Sequence, residues 1–138
     1  MSILFINGSP NKDGNTVALT SHFLKGKEYQ TLHLVDYKIY SYGQKFDDDQ
    51  FDVVIDKMKE ADTIVIGSPL YWHSMSGAIR NLLDRFYGYV DENLLKGKDL
   101  YFVFQGYAPT QEQLASGEYT MKRFASLYGM NYKQMITK

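Results

Sequence analysis

The feature that most limits this chain is a set of three short, continuously apolar runs: Ile3–Ile6, Thr63–Ile66 and Leu100–Phe104. Each is rich in branched or aromatic residues, and Gly or a polar turn follows at once. Runs of this length suit strands covered on both faces, as in a parallel sheet packed between helices. Two other segments alternate instead. Leu32 and Leu34 interleave with Thr31 and His33, while Tyr132, Gln134 and Ile136 interleave with Lys133, Met135 and Thr137. Alternation means one wet side, which suits the two edges of a sheet.

Helical spacing fills the gaps between these strands. Phe51, Val54, Ile55 and Met58 follow the i, i+3, i+4, i+7 pattern, as do Ile79, Leu82, Leu83 and Phe86, and then Met121, Phe124, Ala125 and Tyr128. Gly26, Gly88 and Gly129 stand where helix C-terminal caps are expected. Asn15-Thr16 starts a further helix after the first strand, and the tyrosine-rich stretch from Asp36 to Asp49 reads as a surface loop. The resulting order, β-α-β-α-β-α-β-α-β, is that of a doubly wound α/β fold. In the flavodoxin-like strand order 2-1-3-4-5, strands two and five are the edges, and these are the two that alternate. The expectation is one domain, residues 1–138, with a five-stranded parallel sheet that ends in strand five without the usual last helix. One sheet face near that edge then lacks a cover, which a second subunit would supply.

In such a sheet, ligands bind beyond the carboxyl ends of the strands where the order reverses, here between strands one and three. The two loops at that point are the most unusual stretches of the sequence. The first, Gly8 to Thr16, has what an anion needs. Ser9, Asn15 and Thr16 offer side-chain donors, Asn11 lies in the same turn, and Lys12 would add charge. Glycine lets the backbone approach closely, and the helix starting near Asn15 presents free N–H groups. The Walker A loop needs Gly-Lys-Ser/Thr where this chain has Gly14-Asn15-Thr16, and the dinucleotide fingerprint needs a third glycine. The plainer alternative is an ordinary strand-to-helix turn.

The second loop, Gly67 to Ser74, suits a flat aromatic ligand. Pro69 and Leu70 lead into Tyr71 and Trp72, and the small Ser74, Ser76 and Gly77 follow. A lone tryptophan is more often a hydrophobic plug or a subunit contact, but this one lies beside an anion loop. The third loop adds Gln105 and Gly106, with Tyr107 able to flank a ring, although Thr110 and Gln113 there also read as a capping box.

Other groups carry less. Asp47-Asp48-Asp49 invites a metal reading, yet a contiguous acidic run is usually a solvated helix entry. Arg80, Asp84 and Arg85 suit surface pairs or an interface. His22 and His33 lack metal-ligand spacing, and no Ser/His/Asp order or carboxylate pair suggests hydrolysis. With no cysteine, thiolate catalysis, disulfides and cysteine-bound clusters are excluded. Fifteen basic residues against sixteen acidic leave a net charge of −1, which gives no reason to expect nucleic acid or an anionic membrane as partner. No apolar run approaches membrane-spanning length, and the start at Met1 is too short for a signal segment, so a cytoplasmic location is expected.

Ile3 to Pro10, Gly14-Asn15-Thr16 and the stretch from Gly67 to Phe86 together resemble the NADPH-dependent FMN reductases and flavodoxin-like NAD(P)H oxidoreductases. The resemblance implies non-covalent FMN, with Ser9, Asn15 and Thr16 on the phosphate. Pro69, Leu70, Tyr71, Trp72 and His73 would lie along the isoalloxazine, with Gln105 and Gly106 beyond. It also implies a homodimer, NADPH or NADH as reductant and a small-molecule acceptor. Some relatives carry cysteines for an iron–sulfur cluster after strand two, where Tyr37 to Phe46 has none. His73 is the one side chain with a candidate chemical role, stabilising charge on the reduced flavin; its plainer role is a surface residue. The alternatives to an oxidoreductase are an electron carrier without nicotinamide turnover and a flavin-binding interaction subunit. Near-zero net charge counts against the carrier.

Overall fold

The computed structural model describes residues 2–138; Met1, which opens the expected domain, lies outside the described residues. The strands are β1 (Ile3–Asn7), β2 (Gln30–His33), β3 (Thr63–Tyr71), β4 (Ser74–Met75), β5 (Asp99–Gln105) and β6 (Asn131–Ile136). Helices α1 (Asn15–Phe23), α2 (Phe51–Glu60), α3 (Gly77–Phe86) and α4 (Gln111–Leu127) separate them. Five strands are parallel in the order β2-β1-β3-β5-β6, and β4 turns back antiparallel on the end of β3. The expected order therefore holds, with β5 and β6 as its fourth and fifth strands. The hairpin strand β4 is an addition that the sequence reading lacked.

Alternate residues of the central strands serve two cores, as strand geometry requires. Ile64, Ile66, Leu100, Phe102 and Phe104 face α2, α3 and α4, where Val54, Met58, Ile79, Leu82, Phe86 and Met121 are fully buried. Phe5, Val65 and Val103 face α1, with Leu24, Val17 and Phe23 packed beside them. Helix α1 looks poorly amphipathic because its two buried residues are Thr16 and Thr20. Both are hydrogen-bonded, so burying them is tolerable: Thr20 Oγ1 donates to Thr16 O at 2.9 Å, and Thr16 Oγ1 accepts from Gln105.

Three details differ from expectation. A register shift between Leu100 and Tyr101 leaves Lys133 unpaired, so Tyr132 and Met135 pack with the larger core while Ile136 packs with the smaller. The expected common face of Tyr132, Gln134 and Ile136 is thus broken by a bulge. The stretch from Asp36 to Asp49 crosses the surface but is strapped to α3: Asn81 Nδ2 donates to Ile39 O at 2.6 Å, and Arg85 donates to Tyr40 O at 2.9 Å. Arg85 also grips Asp49 at 2.6 Å, so neither is the solvated group expected, whereas Arg80 and Asp84 form the expected surface pair at 3.4 Å.

Parallel pairing sets Asn7 opposite Gly67 and Pro69 opposite Gln105. The loops leaving β1, β3 and β5 therefore emerge side by side at one end of the sheet.

Candidate functional site

The loop after β1 is organised by Asn7, a fully buried residue at the end of its strand. Its Oδ1 accepts from Ser9 N at 3.0 Å, its Nδ2 donates to Asn11 O at 3.2 Å, and the same nitrogen lies 3.0 Å from His33 Nδ1. Ser9 Oγ in turn accepts from Asn11 N at 3.1 Å. The loop then enters α1 through Gly14, which brings no side chain to cap the helix. The N–H groups of the first turn, at Asn15 and Thr16, are thereby left for an anion. Lys12 points its charge elsewhere, pairing with Asp36 at 2.8 Å.

Close approach explains the glycine at position 8. Gly8 N donates to Gly67 O at 2.8 Å, and a Cβ on Gly8 would run into Ile79. Two serines lock this junction. Ser76 Oγ donates to Gly8 O at 2.8 Å and caps α3 by accepting from Ile79 N, while Ser68 Oγ accepts from Ser76 N at 2.8 Å.

Strand β3 runs on to Tyr71 and turns back through Trp72 and His73, with Leu70 paired to Met75 and Tyr71 to Ser74. Both turn residues have positive φ, 48° for Trp72 and 68° for His73. That is the type I′ pattern, which usually recruits Asn-Gly. Holding two bulky residues there costs on the order of 1–3 kcal/mol each, a cost found mostly at functional sites. Trp72 is 93% exposed, so hydrophobic burial does not repay it. Across the mouth, Tyr107 is 100% exposed and Ala108 has a φ of 47°. Gly106 lies under the hairpin, where a Cβ would come within 2.7 Å of Leu70 Cβ.

These loops enclose a cavity of about 470 Å³, within the range of small-ligand sites. Its wall takes Ser9, Asn11, Asn15 and Thr16 from the first loop, Pro69, Leu70 and Tyr71 from the second, and Gln105 and Gly106 from the third. Tyr107, Ala108 and Lys138 complete it. Of the expected site residues, Lys12, Trp72 and His73 stand outside this wall. Gln105 Nε2 donates to Thr16 Oγ1 at 2.9 Å, closing the cavity between α1 and β5. One end is polar and faces a helix N-terminus; the other is apolar and aromatic. A phosphorylated planar ring fits that gradient. Among the described residues, no group of three or more His, Asp or Glu is placed to hold a metal.

A model of the NADPH-dependent FMN reductase family matches residues 1–135. The chain belongs to that family. An iron-sulfur flavoprotein of Archaeoglobus fulgidus is 39% identical over 98 residues, 62% of this chain and 48% of that protein. The chain spans about half the length of the curated relatives it matches. It has no cysteine and so offers no thiolate to a cluster. The structure of the Trp repressor binding protein from Bacillus subtilis superposes with a TM-score of 0.82 at 22% identity, over 99% of this chain and 85% of that one. An FMN-dependent NADH-azoreductase from Bacillus anthracis, solved in complex with FMN, gives 0.74 at 15% identity, over 99% and 86%. These two likenesses are of fold: a flavodoxin-like sheet.

The locking roles of Asn7, Ser68 and Ser76 are not visible in the sequence, where Ser76 stands out only as a small residue after Trp72. These residues line none of the ligand cavity; Asn7 and Ser68 are signalled only by their place after apolar runs, and Ser76 only by its place before the α3 pattern.

Proposed function

We propose that the chain binds FMN in the cavity at the β1/β3 switch point and acts as an FMN-dependent NAD(P)H oxidoreductase. The observation that carries this reading is one cavity joining nine of the twelve expected binding residues, polar at one end and aromatic at the other. Asn15 and Thr16 offer the phosphate their backbone N–H groups together with the Asn15 amide and the Thr16 O–H, which the bond from Gln105 leaves free to donate, and the Ser9 and Asn11 side chains stand beside them. Lys12, its charge paired with Asp36 and its side chain outside the cavity wall, adds little to the phosphate site. Pro69, Leu70 and Tyr71 lie along the ring, with Gln105 and Gly106 beyond, while Trp72 and His73 form the rim. FMN held there would supply the redox chemistry, hydride transfer between NADPH or NADH and a quinone, nitro or azo compound, or free flavin. No side-chain acid or base is required, so the residues act by orienting the ring and excluding water.

Two further properties belong to the same proposal. A homodimer would cover the sheet face beside α1, where Tyr101 and Ile136 are half-buried. A cytoplasmic setting suits a reductase fed by NAD(P)H, and no described helix is long and apolar enough to cross a membrane.

The test is spectroscopic. Purified protein should be yellow or should take up FMN, and anaerobic NADPH or NADH should bleach it quickly. Yellow protein indifferent to both nucleotides would make it a carrier. Failure to take up FMN at all would overturn the assignment.

A further inference from the structure

The strained hairpin tip is held from outside by a residue that the proposed function does not use. Gln113, in the first turn of α4, is the N3 member of a capping box: its Oε1 accepts from Thr110 N at 2.9 Å, and its own N–H donates to Thr110 Oγ1 at 3.1 Å. A backbone N–H can only donate, so the amide orientation of Gln113 is settled, oxygen toward Thr110 and nitrogen away from it. That nitrogen lies 2.6 Å from His73 Nδ1. An amide NH₂ also can only donate, so Nδ1 must be the acceptor and the neutral ring carries its proton on Nε2.

We infer that Gln113 is a positioning residue: it holds His73 as the Nε2–H tautomer and thereby pins the Trp72–His73 tip as the rim of the ligand cavity. The bond joins two of the three loops that form the cavity, the hairpin after β3 and the segment from β5 into α4. It also accounts for a histidine at a φ of 68°, where glycine would sit without strain. The imidazole is kept there for the bond it makes, and Trp72 is presented, almost wholly exposed, one residue before it. The consequence for ligand affinity rests on the proposed FMN site; the tautomer and the pinning of the tip do not.

The experiment uses the whole chain, and its single tryptophan, Trp72, is the reporter. Long-range ¹H–¹⁵N spectra of the ligand-free protein at pH 8 should show His73 protonated on Nε2. In Gln113→Glu both carboxylate oxygens accept, so the tip stays pinned while the His73 proton moves to Nδ1. In Gln113→Leu the Trp72 fluorescence anisotropy should fall, and FMN should bind roughly fivefold to tenfold more weakly, about one hydrogen bond's worth. His73→Gly loses the bond but relieves the backbone, so it should melt no lower than wild type while showing the same loss of anisotropy. A wild-type proton on Nδ1, or unchanged anisotropy in both Gln113→Leu and His73→Gly, overturns the inference. If the wild type ignores FMN while the tautomer and anisotropy behave as stated, the FMN reading fails and the pinned tip stands.

Discussion

Gln105 Nε2 donates to Thr16 Oγ1 at 2.9 Å, a bond between two buried side chains that joins the end of β5 to the first turn of α1. Thr16→Val keeps the shape and removes the acceptor, leaving a buried amide short of a partner. The expected cost is about 1–3 kcal/mol, read as a lower melting temperature, with Thr16→Ser close to wild type. Adding Gln105→Leu to Thr16→Val should recover part of the loss, because no unpaired donor remains. A double variant whose losses simply add would refute the coupling.

The phosphate end makes a separate prediction. Asn15 stands free in the first turn of α1, whereas Lys12 is engaged with Asp36 and half exposed. FMN titrations followed by Trp72 quenching should show Asn15→Ala with Thr16→Ala binding roughly tenfold or more weakly. Lys12→Ala should change affinity by less than about threefold, as exposed charges do. Equal losses would move the phosphate away from the helix N-terminus.

What the sequence made legible was what periodicity encodes. The strand order, the edges, and the buried faces of α2, α3 and α4 follow from residues such as Val54, Ile79 and Phe124, whose spacing alone places them inside. The place where the loops of the candidate site emerge was legible because parallel topology dictates it. The hairpin was not, because Trp72-His73 lacks the Asn-Gly signal of its turn and tertiary contacts hold it instead. Gln113 was seen only as a cap, since its second bond reaches a residue forty positions away. Arg85 and Asp49 misled for the same reason: local spacing suggested solvent, and a pairing across thirty-six residues took them inward.

Backbone proximity at Gly8 gives a sharp steric test. A Cβ there would lie 2.9 Å from Gly67 O and collide with Ile79. The carbonyl belongs to a central strand and cannot yield without disturbing the sheet. Gly8→Ala should cost about 1–3 kcal/mol by overpacking and displace the first loop, abolishing FMN uptake. Gly77→Ala is the contrast: it meets nothing within 4 Å at the start of α3, and it should be neutral or stabilising by up to about 1 kcal/mol. Chemical denaturation of both variants decides it.

The Arg85–Asp49 pair predicts a pH dependence whose sign is fixed. Burial alone would raise the Asp49 carboxyl above its ordinary 3.8, but the Arg85 guanidinium and the Phe51 and Tyr40 N–H groups outweigh it, leaving the group below that value. A carboxylate with a lowered folded pKa binds fewer protons when folded than when unfolded over that window. Its stabilisation is therefore complete above about 3.8 and is lost as pH falls through the lower folded value. At pH 7, Asp49→Asn should cost about 1.5–3 kcal/mol, since it keeps a hydrogen-bond acceptor but loses the charge facing Arg85. Arg85→Met should cost more, because it strands a largely buried carboxylate and frees the strap that runs to Tyr40 and Asp49. Urea denaturation at pH 7, 5 and 3 should show the gap between wild type and Asp49→Asn unchanged from 7 to 5 and narrowing at 3. A gap of constant size down to pH 3 would mean that the pair contributes no charge-dependent stability.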